Sequence, residues 1–380
     1  MFQKALYIIY SLIIVYLFIR VSNFLQNSFW INQPVCFKYL NFKRKNTIIR
    51  QELPKVNKFT DLMRVTFKEF GSLSVKEIKQ FTKFIQKNYM IYGENKFNPK
   101  CINIIPYFQK EDFISTYLSF SNYIRGVITS RKVKVIIKGM PRFSVWYVDY
   151  LCVHKECRNR GIAPKLIQSH EFNQCHNLGE SVVSLFKKEG DENSNSLLVP
   201  MVEYLSYFYK SNVLKNDTKI FENLKLRSLT NAELNKFMSS SGFINKWDIV
   251  IKFDDNVMSN LVESLNIFAE GLWDGDVLLA IYFFRKTCTF ISNDDELISC
   301  VASYKNDSLG CDIFYNGFCE LVRKMSKFHT IGIENICDNR HIIDGINSRG
   351  ISSFVSCKMF YYFYNFTYET YASEKVFILV

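Results

Sequence analysis

The sequence of 380 residues has few chain breakers, 7 prolines and 15 glycines, which argues against a long disordered linker. No two of its 11 cysteines stand at CxxC spacing, so neither a zinc site nor a redox motif is indicated. Their odd number in a long chain reads as free thiols in a reducing compartment. Zinc-finger, RRM and helix-turn-helix signatures are missing, and so are low-complexity repeats. Acid is in deficit: 36 Asp and Glu against 48 Lys and Arg give a net charge of +12. Such a balance suits nucleic acid, an anionic membrane face, or an anionic small ligand such as coenzyme A. With no recognition signature and with scattered basic residues, nucleic acid is not expected as a partner. What the chain does have is apolar and aromatic residues, 48% and 16%, enough for a sizeable core.

Leu6 to Ile19 is an uncharged apolar run between Lys4 and Arg20. It is short for a span, but both cations can snorkel and Val21 to Ile31 adds apolar residues. Nothing after it resembles an A-x-A cleavage site, so residues 1–28 are expected to be a retained membrane anchor. A cleaved signal or a buried helix of the body are the rival readings. Arg20, Lys38, Lys43, Arg44 and Lys45 outnumber Lys4 and the amine, so the body is expected to face the cytosol.

Beyond it, Ser74–Tyr89 has helical periodicity. Residues 124–129 and 132–138 read as two strands, and Trp146–Val153 as another. Gly161–Gln168 should open a helix, and Lys187–Asn195 reads as a surface loop. Asn212–Thr218 is the candidate junction between halves. Leu229–Phe237 and Ile313–Met325 read as helices; Val277–Phe284, Tyr361–Phe366 and Lys375–Val380 read as strands. Helices and strands interleave in both halves, so the expected fold class is mixed α/β.

Val148–Ile167 is the informative stretch: VDYLCVHKECRNRGIAPKLI. A buried strand delivers the chain to a basic loop, and Arg158, Arg160 and Gly161 then precede a helix. Unpaired N–H groups and a partial positive charge at that helix start suit a pyrophosphate, and glycine lets the backbone approach it. Alone, the stretch could equally be a solvated basic loop.

The longer string resembles the signature of the glycylpeptide N-tetradecanoyltransferases, or N-myristoyltransferases. Leu151-Cys152-Val153-His154-Lys155, Arg158, Ala163-Pro164 and Leu166-Ile167 match in register. Phe29-Trp30-Ile31-Asn32-Gln33-Pro34-Val35 resembles the family's FWxTQPV. Ile49–Pro54, Asn88–Phe97, Tyr207–Ser211, Tyr361–Asn365 and the run from Glu374 echo later signatures in the family's order. The resemblance implies an acyl-CoA N-acyltransferase (GNAT-like) fold in two pseudo-symmetric halves. Residues 29–214 would bind acyl-CoA and 215–380 the peptide. It implies myristoyl transfer from myristoyl-CoA to the N-terminal glycine of a protein, with no metal.

By the same resemblance, the backbone N–H groups of Tyr150 and Leu151 would hold the oxyanion, a contribution of about 3 kcal/mol per donor. Phe29 and Trp30 would lie against the coenzyme, although they also suit an aromatic belt after the anchor. Leu151, Cys152, Val153, Arg158, Asn159, Arg160, Gly161, Ile162 and Ala163 would bind it. The terminal carboxylate, at Val380, would take the proton of an amine whose reference pKa is about 7.7–8.0. Ser184 stands where the family has a threonine.

The sequence departs from the family in its peptide half. An acidic run is reduced to Ile91-Tyr92-Gly93-Glu94, and a GDG loop becomes Gly350-Ile351-Ser352-Ser353. NALD becomes Gly332-Ile333-Glu334-Asn335, Tyr209 replaces a histidine, and Phe377 replaces a glycine in a tail one residue short. These departures keep two alternatives open: a non-catalytic acyl-CoA-binding relative, or an acyltransferase with another acyl group or amine acceptor.

Overall fold

The structure, a computed structural model, describes residues 2–26, 28–38, 46–89, 95–190, 197–214, 223–292 and 295–380. Two helices lead, α1 (Phe2–Gln26) and α2 (Ser28–Ile31). Every side chain of α1 from Ile9 to Val21 is exposed. Among the described residues no helix is long and apolar enough to cross a membrane, which corrects the expected spanning anchor.

The first half contains β1 (Val65–Glu69), α3 (Val75–Asn88), β2 (Lys96–Phe97), β3 (Phe113–Leu118), β4 (Ile124–Ile137), β5 (Phe143–Val153), α4 (Ile162–Leu178), β6 (Ser184–Glu189) and β7 (Val202–Lys210). Ser74 starts α3 with a reciprocal capping box to Glu77, and Phe81, Phe84 and Ile85 are buried on its inner face. The two strands expected from 124 to 138 are one. Ser130 and Arg131, which read as an interruption, are buried but partnered by His170 and Asp149, so the ladder continues through them. The expected loop from Lys187 is also corrected, because Lys187–Glu189 belong to β6 and pair with β14 (Val355–Tyr364).

The second half follows with β8 (Leu224–Ser228), α5 (Asn231–Ser239), α6 (Ser241–Asn245), β9 (Ile249–Lys252), α7 (Asp255–Glu263), β10 (Ile267–Asp274), β11 (Val277–Ser292) and β12 (Asp295–Lys305). Then come α8 (Cys311–Lys324), β13 (Thr330–Glu334), α9 (Asn339–Ser348), β14 and β15 (Val376–Leu379). The expected junction runs into residues 215–222, outside the described ones.

One continuous sheet carries both halves in the order β1-β3-β4-β5-β6-β14-β7-β13-β12-β11-β10-β8. The halves repeat one plan. β3-β4-β5 is an antiparallel meander, and α4 crosses over to place β6 parallel to β5. Likewise β10-β11-β12 is antiparallel, and α8 crosses over to place β13 parallel to β12. The last strands are exchanged: β14 inserts between β6 and β7, and β7 pairs with β13. β15 lies parallel to β9, which pairs with β4, so the chain's last strand is tied to the first half. This mixed α/β, GNAT-like fold in two related halves is the one expected.

Candidate functional site

A cavity of about 1170 Å³ runs between β5, the start of α4, β6, β11 and β14. The expected residues Trp30, Tyr150, Leu151, Cys152, Val153, Arg158, Asn159, Gly161, Ile162, Ala163 and Ser184 line it. Phe29, Arg160 and Val380 do not. Phe29 is buried edge-on between Trp30 and Phe59, both at 5.1 Å, so it supports Trp30 from behind. Trp30 stacks on Phe186 at 5.8 Å.

The chain reaches α4 through two left-handed residues, Asn159 (φ 61) and Gly161 (φ 72). Gly161 is the N-cap, and a Cβ there would meet nothing within 4 Å, so its requirement is conformational. Open space in front of unpaired first-turn N–H groups suits an anion. Arg158 is not wholly free to meet one: it donates to the Asn88 carbonyl at 2.7 Å and weakly to the Val153 carbonyl at 3.4 Å. The same Asn88, at the end of α3, accepts from the Lys155 N–H through its side chain. α3 thereby fixes the basic loop.

β5 carries the other special geometry. Its register against β4 shifts between Val127 and Thr129, so Tyr150 and Leu151 together face Ile128 in a bulge. Tyr150 is left-handed (φ 48), a strained conformation for a bulky residue, held by rings of Phe81, Tyr89 and Phe108 around it. The bulge puts an extra residue into β5 that the regular ladder does not pair. The Tyr150 N–H is nonetheless engaged, donating to Asp149 Oδ1 at 2.8 Å. Asp149 Oδ2 accepts from Arg131 at 2.8 Å. Arg131 is 2% exposed and lies over the rings of Tyr147 and Tyr107. Burial works against its charge, and Asp149 together with Tyr147, Tyr150 and Tyr107 outweighs that.

At the far side lies a cluster that motif reading missed. Glu334, from β13, meets Lys187 of β6 at 3.0 Å, Arg285 of β11 at 3.8 Å, and the Tyr204 hydroxyl of β7. Burial would raise the Glu334 pKa, but Lys187 and Arg285 outweigh it and hold the carboxyl below its usual range. Arg285 also donates to the Val380 main-chain oxygen at 3.1 Å. Phe377, expected to disturb this terminus, packs in the core among Phe243, Trp247 and Phe283. Tyr209 is buried in the second core and does not line the cavity, whereas Phe208 does. Ile91–Glu94 lie outside the described residues. The signal for the cluster was faint: charged residues in otherwise apolar strands, whose partners are far away in sequence.

Two of the thiols that line the cavity are poor nucleophiles, since burial pushes Cys152 and Cys288 up to about 12. His170 is held neutral by burial, at about 3, between Ser115 and Ser130. Among the described residues no group of His, Cys, Asp or Glu could hold a metal ion.

No family model and no curated protein matches the sequence. The fold does match solved structures. Saccharomyces cerevisiae N-myristoyltransferase with bound myristoyl-CoA superposes with a TM-score of 0.71 at 13% identity, over 93% of this chain and 99% of that one. A second structure of that enzyme with myristoyl-CoA gives 0.72 at 13% identity over 93% and 94%, and one with inhibitors gives 0.71 at 13% over 91% and 91%. The chain has the N-myristoyltransferase fold at a large sequence distance.

Proposed function

We propose that the chain is an acyl-CoA-dependent N-acyltransferase that moves a tetradecanoyl group from coenzyme A to the amine of an N-terminal glycine. One observation carries this reading: the strained bulge at Tyr150 and Leu151 and the open start of α4, where Gly161, Ile162 and Ala163 carry N–H groups, share one cavity. The myristoyl-CoA in the solved structures of like fold supports the choice of donor.

In this reading the nucleotide end lies at Gly161 with Arg158 and Asn159, and Trp30 covers it. The amine attacks the thioester carbonyl carbon directly. The carbonyl electron pair moves onto oxygen, where the N–H groups of Leu151 and Tyr150 receive it. The oxyanion then collapses, the C–S bond breaks, and the thiolate of coenzyme A leaves. Tyr150 contributes only when its N–H leaves Asp149, which stays neutralised by Arg131. The carboxylate proposed at Val380 takes the amine proton. Arg285, which donates to the Val380 main-chain oxygen, fixes its position.

A second reading, acyl-CoA binding without turnover, is favoured by the Tyr150 N–H already being bound to Asp149. Single-turnover transfer by the full chain, with myristoyl-CoA and a panel of glycine-starting peptides, decides between them. Acylated peptide, lost when one residue is added after Val380, supports the enzyme. Tight acyl-CoA binding without product favours the second reading, and no binding refutes both.

The exposed apolar α1 supports attachment of the body to a cytosol-facing membrane surface, since a helix apolar on all sides is unstable in water. Flotation with lipid vesicles tests this. Replacing Ile9, Ile13 and Leu17 by Ser should abolish it, and undiminished flotation would sink the idea.

A further inference from the structure

The strand registers bring three loops to one end of the first half. Val65, which opens β1, pairs with Tyr117. Leu118, at the end of β3, pairs with Ile124, at the start of β4. Gly126 of β4 pairs with Val153, at the end of β5. Residues 61–64, the turn 119–123 and the loop 154–160 therefore share this end of the sheet, and Arg158 and Asn159 bring the cavity to it. The Leu118 N–H donates to the Arg64 carbonyl and the His154 N–H to the Arg125 carbonyl, both at 2.9 Å, which ties the loops to their neighbours.

The tips of two of these loops are apolar and bare. Met63 is 98% exposed, Phe120 89%, Tyr123 68% and Leu62 47%. Scattered singly, such residues need no explanation, but here they stand on adjoining loops. Arg64 joins them, lying 4.3 Å from the centre of the Phe120 ring while it donates to the Tyr117 hydroxyl at 3.1 Å. The charge at this end is of one sign. Arg64, Arg125, Lys155, Arg158 and Arg160 belong to it, Asp61 is paired with Lys165 at 3.0 Å, and Glu156 is the one other acid in the three loops. A coenzyme in the cavity would account for Arg158 and its neighbours but not for bare Met63 and Phe120. Apolar tips among cations suit an anionic bilayer, where burial of apolar area and attraction to acidic headgroups add. α1 is rooted beside the same loops: it is followed by α2, whose Phe29 packs edge-on against Phe59 at 5.1 Å, two residues before Asp61.

We propose that this end of the sheet docks on an anionic lipid surface, with Leu62, Met63, Phe120 and Tyr123 in the headgroup layer and the cations against acidic headgroups. The inference rests on the membrane attachment read from α1 and deepens it. α1 attaches the chain, and the loops turn the body so that the Arg158 opening faces the bilayer. Acyl-CoA is an amphiphile and partitions to that surface, so the opening for the nucleotide lies where the donor is concentrated.

The test is amide hydrogen exchange of the full chain on vesicles of phosphatidylcholine and phosphatidylserine in equal parts, and on phosphatidylcholine alone. The amides of Met63, Phe120 and Tyr123 should exchange more slowly on the mixed vesicles than on the neutral ones. Met63→Ser and Phe120→Ser together should weaken binding to the mixed vesicles by about tenfold or more, with the affinity for tetradecanoyl-CoA in lipid-free solution unchanged. Protection of α1 with no protection of these loops overturns the inference and leaves the attachment by α1 standing; protection of neither overturns both. Equal protection on the two vesicles overturns the anionic surface. A concentration-dependent dimer that the same substitutions abolish, or a parallel loss of tetradecanoyl-CoA affinity, also overturns it, by giving the patch to a second copy or to the donor. Should the double variant not fold, Tyr123→Ser provides a second one.

Discussion

Glu171→Gln is expected to be nearly neutral at acidic pH and stabilising at alkaline pH, which is the reverse of what breaking a buried ion pair does. The reason is a count of protons. Tyr364 Oη lies 2.6 Å from Gln33 Oε1 and 2.7 Å from Glu171 Oε2; Gln33 Nε2 donates to Gln168 at 3.1 Å, and Gln168 Nε2 to Glu171 at 2.8 Å. These four contacts close a ring, but the hydroxyl and the two amides supply three hydrogens. The fourth comes from Glu171 itself if its carboxyl is protonated. Burial raises the Glu171 pKa, opposed by Arg50, in agreement with that count. A carboxyl with a raised folded-state pKa stabilises the fold below its unfolded value of about 4.3, and the contribution is lost as pH rises through the folded-state value. The loss is at most about 1.4 kcal/mol per pH unit for one proton. A glutamine at 171 supplies the missing hydrogens permanently, with Gln33 and Gln168 turned over, and does not titrate. Urea unfolding of both proteins from pH 5 to 9 should therefore show a wild-type stability that falls with pH and a flatter variant. Loss of about 3–5 kcal/mol in the variant at neutral pH would show instead that Glu171 is an ionised partner of Arg50, and would refute the count.

Arg131→Met, which strands Asp149 and empties the space between Tyr107 and Tyr147, should cost about 3–5 kcal/mol by denaturant unfolding. Gly161→Ala meets no steric obstacle but carries a φ of 72, so it should destabilise by about 1–2 kcal/mol and weaken acyl-CoA binding together, seen by titration. Ser74→Ala removes half of the capping box and should cost about 1 kcal/mol; because α3 carries Asn88, it should also loosen the Arg158 loop, read as faster amide exchange there. Glu77, held down to about 2 first by Lys68 and then by Ser74, should give its contribution above its unfolded pKa and lose it as pH falls toward 2, whereas the Ser74→Ala protein should titrate nearer the ordinary range by NMR.

Local signals gave the right elements where one residue or one period decided the matter. The helical period of Ser74–Tyr89, with Ser74 and Glu77 spaced for a capping box, became α3 within a residue at each end. Gly161 before an apolar run became the left-handed N-cap of α4. Reading failed where a polar residue was buried and satisfied from afar. Arg131 did not end a strand, because Asp149 waited across the ladder. Lys187 was not in a loop, because Glu334 held it inside the sheet.

The sequence by itself determined the strand–basic loop–helix unit from Val148 to Ile167, the two alternating halves, and the exposed apolar start, since each follows from spacing within one stretch. Only the tertiary structure decided what the site's atoms do. The pairing of β4 with β5 sets the bulge that strains Tyr150 and turns its N–H onto Asp149. The exchange of β7 and β14 between halves brings Lys187, Arg285 and Glu334 to one wall of the cavity, with Tyr204 bonded to Glu334. Such groups share a site because strands distant in the chain lie adjacent in the sheet, and that adjacency is set by packing of the whole core, which no local period encodes.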